Sequence, residues 1–259
     1  MGTHNFFRQY FLPRIGLLKI ITDFIGKASA VVQETVSICD LDLDAGDELV
    51  EQLKEIYGQE SAIFCQCDVT DYPQFEESFQ MTISTFGHLD IVINNAGIMN
   101  DRFWELQVDV NLNGVIRGTL LALRFLGKDQ GYQGGILVNT ASSAYFRPQV
   151  STPIYTATQH AVVGLSRSYG AAYHVERTGV RVIALCPGWT STALVGDIKK
   201  QLMSADYEAA WKADIANQIQ QKPEDVGKAL LHVLRNAKSG SAWIVENAQP
   251  AREVSFPGQ

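Results

Sequence analysis

Short runs of β-branched and apolar residues alternate along this chain with segments whose apolar residues recur at helical spacing. The runs with the length and composition of strands are Thr35–Leu41, Ala62–Cys67, Asp90–Asn94, Gly135–Asn139, Arg181–Leu185 and Ala242–Glu246. Most of them are almost continuously apolar, which is typical of parallel strands covered on both faces. Because strand–helix alternation requires right-handed crossovers, the pattern predicts an α/β fold: a doubly wound parallel sheet of the Rossmann type between two layers of helices.

The chain of 259 residues is long enough for a single domain with one large core. We expect this domain to span residues 35–247, with a C-terminal tail at residues 248–259. Residues 1–34 form an atypical N-terminal segment, in which the first strand of the sheet would have to be Phe6–Leu12. That placement conflicts with burial, because Arg8 would lie in the dry centre of the sheet.

The charge pattern excludes several classes of partner. The net charge is −7 and no run of Lys or Arg occurs, so we expect neither nucleic acid nor an anionic lipid surface as a partner. Charges and Pro13 interrupt the apolar N-terminal stretch too often for a membrane span. Met1–Thr22 has basic residues but no acid, which fits a mitochondrial transit peptide as well as a structural N-terminus.

The cysteines lie in apolar stretches and have no spacing typical of a metal site: Cys39, Cys65, Cys67 and Cys186. They predict buried, reduced thiols in a cytoplasmic protein without a bound metal.

The residues that follow the predicted strands are the candidates for ligand binding, because ligands of doubly wound sheets lie outside the carboxyl ends of the strands. The first predicted strand ends in Asp40 and Leu41. A carboxylate here accepts hydrogen bonds from both adenosine ribose hydroxyls and repels a 2′-phosphate, which favours NAD over NADP. The next strand is followed by Asp68 and Val69, which either contact the adenine edge or, for Asp68, cap the following helix.

The third predicted strand ends in a polar turn of Asn94 and Asn95, whose amides can tie neighbouring strands, followed by Ala96 and Gly97, which leave space for a flat cofactor. Further motifs follow in order: Asp109–Gly114, Asn139–Ser143, Tyr155 and Cys186–Thr190. With Phe86–Asp90 leading into the turn, this series resembles the short-chain dehydrogenase/reductase family over about residues 35–247. VSICDLD, CDVTD and CPGWTSTAL resemble in particular its 15-hydroxyprostaglandin dehydrogenases and insect-type alcohol dehydrogenases.

The resemblance implies an NAD-dependent alcohol oxidoreductase. Tyr155 matches the base that takes the alcohol proton, Ser142 matches the hydroxyl that orients the substrate oxygen, and Asn111 matches the residue that holds a water of the proton relay. The positions that match the family's cofactor contacts around the nicotinamide are Asn95, Ala96, Gly97, Pro187, Gly188 and Thr190. A homodimer formed by the helices Trp104–Leu126 and Ile154–Tyr173 is also implied.

Gln159 occupies the position where the family has a lysine, one helical turn after the tyrosine. A free tyrosine has a pKa of about 10, and a nearby positive charge is needed to favour the phenolate at neutral pH. Gln159 can hydrogen-bond a ribose hydroxyl but carries no charge, and His160 lies about 100° further round the helix.

The family's glycine-rich turn is a second departure. It should precede Asp40 by roughly 20 residues and bring the backbone close to the pyrophosphate at a helix N-terminus. The glycines of residues 6–39 are Gly16 and Gly26, which are too far apart to form that turn. Apolar residues at helical spacing instead predict an amphipathic helix over Gly16–Glu34.

The segment Trp189–Trp211 follows the matched Pro187-Gly188 turn and is rich in apolar residues. It fits a lid over a lipophilic secondary alcohol or ketone, and equally plain core packing. Two hypotheses therefore follow from the sequence. The chain is an NAD-dependent alcohol oxidoreductase with impaired activity, or it is a non-catalytic relative that acts as a dimeric binding or structural protein.

Overall fold

The computed structural model describes residues 35–256. The predicted strand Phe6–Leu12, the predicted helix Gly16–Glu34 and the basic stretch Met1–Thr22 lie outside the described residues.

The strands form two groups of parallel neighbours. Their bounds are β1 Val36–Asp40, β2 Ala62–Gln66, β3 Ile91–Asn94, β4 Gly135–Thr140, β5 Val180–Pro187, β6 Ala242–Val245 and β7 Arg252–Glu253. β1 pairs in parallel with β2, and the other strands form a sheet in the order β3-β4-β5-β6-β7, parallel except for β7. The predicted strands are thus confirmed, each within two residues at either end.

Helices connect the strands as the alternating pattern predicts. Their bounds are α1 Leu43–Tyr57, α2 Tyr72–Phe86, α3 Trp104–Val108, α4 Val115–Leu126, α5 Pro153–Tyr169, α6 Ala172–Thr178, α7 Ile198–Gln201, α8 Tyr207–Ile215 and α9 Pro223–Asn236. The side chains of Asp42 and Asp71 cap α1 and α2 by accepting hydrogen bonds from backbone N–H groups in their first turns. These two helices therefore begin directly after the loops that follow β1 and β2.

Successive side chains of β5 point to opposite faces of the sheet, and each face is covered by helices. Ile183 and Leu185 pack against α9 on one face of the sheet, in a cluster that includes Val233. Val182 packs with α2 and α4, and Ala184 packs with α5, on the other face. The sheet is therefore covered by helices on both sides, and the predicted doubly wound α/β fold is confirmed.

Two predicted helices differ from the structure. Trp104–Leu126 contains a π-helical turn at Asp109–Gly114 between α3 and α4. The predicted helix Ile154–Tyr173 is wrong at its C-terminal end, because α5 ends at Tyr169 and α6 begins at Ala172. Gly170 separates them, and its backbone N–H closes the last turn of α5 on Ser166.

β7 was not predicted, because Arg252–Glu253 is polar and only two residues long. It pairs antiparallel with β6 and brings Phe256 against Tyr145 and beneath the guanidinium of Arg167. In residues 35–256, no helix is both long and apolar enough to cross a membrane.

Candidate active site

A cavity of about 170 Å³ lies at the carboxyl ends of β3, β4 and β5. The predicted site residues that line it are Asn95, Ala96, Gly97, Asn111, Ser142, Tyr155, Gln159, Pro187, Gly188 and Thr190. The fold thus brings together residues that are up to 95 positions apart in the sequence, from Asn95 to Thr190. None of the described residues that line this cavity is Lys or Arg.

Tyr155 lies in the first turn of α5 and is only 7% exposed. Its position is fixed by Asp101, which is completely buried and accepts hydrogen bonds from the backbone N–H of Ile154 at 2.8 Å and of Tyr155 at 2.9 Å. The side chain of Gln107 donates a further hydrogen bond of 2.8 Å to Asp101. A carboxylate at this place satisfies two N–H groups that the start of a helix leaves without a partner, and it matches the helix dipole.

Gln159 is 5% exposed and lies one turn after Tyr155 on the same face of α5. Its amide nitrogen donates a hydrogen bond of 3.2 Å to the hydroxyl of Thr158. His160 does not replace the missing charge, since its Nδ1 lies 2.8 Å from the carbonyl oxygen of Thr156 and its ring packs on Tyr145. In the described part of the chain, the base candidate therefore has a neutral neighbour at the position one turn away.

Ser142 follows β4 in an extended conformation and is half-buried. Its Oγ accepts a hydrogen bond of 3.2 Å from the backbone N–H of Ala144, which leaves the hydroxyl proton available to a ligand. The strand end thus presents a hydroxyl donor to the same cavity that Tyr155 lines.

Asn111 lies within the π-helical turn and is 2% exposed. Its side-chain amide makes two hydrogen bonds of 2.7 Å with the backbone of Ile98, accepting from the N–H and donating to the carbonyl oxygen. These bonds tie the loop after β3 to the helix. They use one N–H and one lone pair of the Asn111 amide, which leaves a second N–H and a second lone pair for a proton-relay water.

The residues predicted to contact the adenosine half of NAD lie outside this cavity. Asp40 and Val69 line a second cavity of about 1110 Å³, which is also bounded by β3 and shares Asn95 and Ala96 with the first. Leu41 is half-buried and lines neither cavity in the described part of the chain. The two cavities therefore adjoin at Asn95 and Ala96, one extending to Asp40 and the other to Tyr155.

Asp40 and Asp68 make different local contacts. Asp40 accepts one hydrogen bond of 3.1 Å from the backbone N–H of Asp42 with Oδ1, and its Oδ2 is available to a ligand. Asp68 accepts bonds of 2.8 and 2.7 Å from the backbone N–H and the hydroxyl of Thr70. Since Asp71 caps α2, Asp68 shapes the turn before the helix and is not itself the cap.

A buried amide network supports the loop after β3. Asn94 donates a hydrogen bond of 2.9 Å to the side chain of Asn139, which in turn donates one of 3.0 Å to Ser166 of α5. The predicted tie between neighbouring strands is thus present. Gly118 of α4 is required beside it, because a Cβ atom at this position would lie 2.2 Å from Oδ1 of Asn94.

Gln221 is a supporting residue that sequence reasoning missed. It is 1% exposed, and its amide nitrogen donates to the Thr190 hydroxyl at 3.1 Å and to the Val245 carbonyl oxygen at 2.9 Å. It therefore joins the turn after β5 to the end of β6. Asp101 was missed in the same way, and neither residue belongs to a motif that could have identified it.

The outer wall of the cavity is apolar. Leu202 and Trp211 are buried with Tyr155 in one cluster, against which Leu194 and Val195 pack. Trp211, Leu194 and Val195 also line the cavity. The segment predicted as a lid or as core therefore contributes both an internal cluster and a ligand-facing surface.

Arg102 holds this segment against the rest of the site. Its side chain donates hydrogen bonds of 3.1 Å to the Leu202 carbonyl oxygen and 3.2 Å to that of Lys199. Among residues 35–256, no group of His, Cys, Asp and Glu side chains is placed to hold a metal ion.

Comparison with known proteins identifies the family. The family model for short chain dehydrogenase matches residues 21–203, and this chain belongs to that oxidoreductase family. It is 38% identical to the human (Homo sapiens) 15-hydroxyprostaglandin dehydrogenase [NAD(+)] over 172 residues, which cover 66% of this chain. The aligned region spans 65% of that relative's length. It is also 34% identical to alcohol dehydrogenase 1 of Ceratitis capitata over 197 residues, 76% of each chain.

Solved structures agree with the fold. Levodione reductase is 25% identical, with a TM-score of 0.69 over 83% of this chain and 87% of that one. A 3-ketoacyl-(acyl-carrier-protein) reductase from Brucella melitensis, solved in complex with NADH, has a TM-score of 0.70 at 21% identity and covers 88% and 91% of the two chains.

Proposed function

We propose that this chain binds NAD and oxidises a lipophilic secondary alcohol, with a chemical step that is impaired because Gln159 replaces a positive charge. The observation that carries the proposal is the single cavity into which Tyr155 and Ser142 both open beside the apolar wall of Leu194 and Trp211. A proton acceptor and a hydroxyl donor next to an apolar surface suit an alcohol with a long hydrocarbon part.

The described residues fit NAD in both cavities. Asp40 has a carboxylate oxygen for the adenosine ribose hydroxyls, and its negative charge repels a 2′-phosphate. Gly188, which lines the cavity at Tyr155, is required there by close packing, since a Cβ atom would lie 2.7 Å from Cβ of Glu246. The named relative at 38% identity is an NAD(+) enzyme, which supports the same cofactor here.

The residues of the chain would have separate roles in this reaction. NAD, when bound, supplies the acceptor for the hydride. The Ser142 hydroxyl donates a hydrogen bond to the substrate oxygen and orients it, while the phenolate oxygen of Tyr155 takes the alcohol proton. The apolar wall excludes water from the carbon that loses the hydride.

The neutral Gln159 sets the rate of this chemistry. A neutral side chain one turn away does not favour the phenolate, whereas a positive charge at that position would lower the pKa of the Tyr155 phenol. The proposal therefore includes slow turnover at neutral pH that increases as the solution becomes alkaline.

A second candidate function, a non-catalytic binding protein, is favoured by one specific observation. None of the described residues that line the cavity is a Lys or Arg that would favour the phenolate. Such a protein would keep NAD or the apolar ligand in the cavity but would not transfer a hydride.

A homodimer in the cytoplasm belongs to the same proposal. On the exposed side of α4 and α5, Leu120 is 45% exposed, and Ala157 and Gly164 leave the surface flat enough for close helix packing. Light scattering should give the mass of two chains for the wild type and of one chain for Leu120→Glu. The cytoplasmic location is supported by four cysteines that are all free thiols.

The function is tested by titrating the full chain with NAD in a calorimeter and then assaying NADH formation with a series of secondary alcohols of increasing chain length. We expect micromolar NAD binding and slow turnover that improves with alcohol length. Tyr155→Phe is the matched control, because it keeps the ring in the buried cluster and removes only the hydroxyl. NAD binding with equal NADH formation in both proteins would refute the assigned base, and absence of turnover at every pH would favour the binding protein.

A further inference from the structure

Two cysteines face each other across the first pair of strands. Cys39 of β1 is the register partner of Cys65 of β2, so their side chains point to the same face of the sheet. Neighbouring strands lie about 4.8 Å apart, which is within the range of about 4.4 to 6.8 Å that disulfide-bonded Cα atoms span. The hydroxyl oxygen of Ser37 lies 3.3 Å from Sγ of Cys65 and 3.9 Å from Sγ of Cys39, so one hydroxyl contacts both sulfur atoms.

The surroundings of the two thiols differ in a way that favours their reaction. A hydrogen bond from Cys39, together with one from Ser37, lowers the pKa of Cys65 to about 6 although burial opposes the shift. The same hydrogen bond raises the pKa of Cys39 well above its usual value. At neutral pH the pair therefore holds one thiolate beside one thiol, which is the arrangement of a reactive dithiol.

The other two cysteines lack these features. Burial raises the pKa of Cys67 to about 12 and also raises that of Cys186. Both are buried, as is Cys65, whereas Cys39 is exposed and lines the larger cavity. A small oxidant can therefore reach the pair from the Cys39 side, while Cys67 and Cys186 stay protonated.

We propose that Cys39 and Cys65 form a peroxide-sensitive dithiol that closes to a disulfide across β1 and β2. The Cys65 thiolate attacks one oxygen of hydrogen peroxide, giving a sulfenic acid and one water after proton transfer. The Cys39 sulfur then attacks Sγ of Cys65, forms the S–S bond and releases the sulfenic oxygen as a second water. The two thiols lose two electrons and two protons, and the peroxide is reduced to two waters.

The bond would form directly beside the residue proposed to hold the adenosine ribose. Asp40 follows Cys39 in β1, and the backbone N–H of Cys67 already bonds to the Asp40 carbonyl oxygen at 2.9 Å. Oxidation would thus fix the strand ends that carry Asp40 and Asp68 without needing a large movement of either strand.

Peptide mapping of the full chain can test this assignment. The protein is treated with equimolar hydrogen peroxide, remaining thiols are alkylated, and trypsin digestion is analysed without reduction. Cys39 falls in the tryptic peptide of residues 28–54, whereas Cys65 and Cys67 share that of residues 55–102. A Cys39–Cys65 bond therefore joins two peptides, and a Cys65–Cys67 bond joins none.

We expect the joined peptides in the wild type and in Cys67→Ser, their loss in Cys39→Ser and Cys65→Ser, and their separation by dithiothreitol. Cys67→Ser decides the matter even if Cys65→Ser does not fold, because in that variant only a Cys39–Cys65 bond can join the two peptides within one chain. Loss of the joined peptides in Cys67→Ser, a bond between two copies of the chain, or oxidation of Cys65 to sulfinic acid without the S–S bond would each overturn the proposal.

Discussion

Replacing Gln159 by lysine should restore the charge that the base candidate lacks. Gln159 lies four residues after Tyr155 on the same face of α5, and both side chains are nearly fully buried and line one cavity. With an effective dielectric constant near 20, a unit charge at about 4 Å stabilises a phenolate by up to about 4 kcal/mol, or about three pKa units. Gln159→Lys would therefore lower the pKa of the Tyr155 phenol.

Gln159→Lys should therefore change how the rate of NADH formation depends on pH. At neutral pH a lower pKa increases the ionised fraction of Tyr155, and a shift of up to about three pKa units corresponds to a gain of up to several hundred-fold in kcat. The weaker basicity of the stabilised phenolate reduces this gain. At strongly alkaline pH the two proteins should approach the same rate, because the phenol is then ionised in both.

The assay is initial NADH formation between pH 6 and pH 11, with saturating NAD and the best alcohol of the series. Gln159→Met is the matched control, since it has similar length and no charge. The double variant Gln159→Lys/Tyr155→Phe should lose the gain entirely. If Gln159→Lys keeps the wild-type pH profile, or if the gain persists without the phenol, the reasoning from charge to phenolate is refuted.

Three further predictions concern the parts that support this site. Asp40→Ala should weaken NAD binding by about 10- to 100-fold while leaving NADP binding almost unchanged, because hydrogen bonds to a charged group contribute about 1.5–3 kcal/mol; calorimetry measures both. Asp101→Asn should lower the free energy of unfolding by about 2–3 kcal/mol in urea titrations, because an NH₂ group then faces a backbone N–H at the start of α5. Gly118→Ala should destabilise by about 1–3 kcal/mol through its clash with Asn94, whereas Gly164→Ala, which has open space around it, should be neutral or slightly stabilising.

The strands could be predicted from the sequence because each is a short apolar run between polar turns. β5 is the plainest case, since six of its eight residues are buried. The site candidates at the strand ends could be predicted for a related reason: parallel strands end at one edge of the sheet, so Asn95, Ser142 and Gly188 meet there.

The remaining features depend on contacts that no local pattern contains. Asp101 and Tyr155 are 54 residues apart, and a lone Asp in a loop does not reveal which helix it will stabilise. Gln221 joins the turn at Thr190 to β6, and its partners are 31 and 24 residues away in sequence. The π-helical turn at Asp109–Gly114 is equally hidden, because its apolar spacing is that of an ordinary helix.

The two departures from the family pattern act on different steps of the proposed reaction. Gln159 changes the ionisation of Tyr155 but not the shape of the cavity, whose walls are formed by the turn at Gly188 and by Trp211. The glycine-rich turn that brings the backbone close to the pyrophosphate in the family would fall in residues 1–34, where the sequence does not contain it. These residues lie outside the described part of the chain. Ligand binding and turnover are therefore separable in this chain. A protein that retains the residues at both ends of the NAD site, but has no positive charge at residue 159, would bind NAD and an apolar alcohol together and convert them slowly. The charge at residue 159 alone would then decide between a slow enzyme and a fast one.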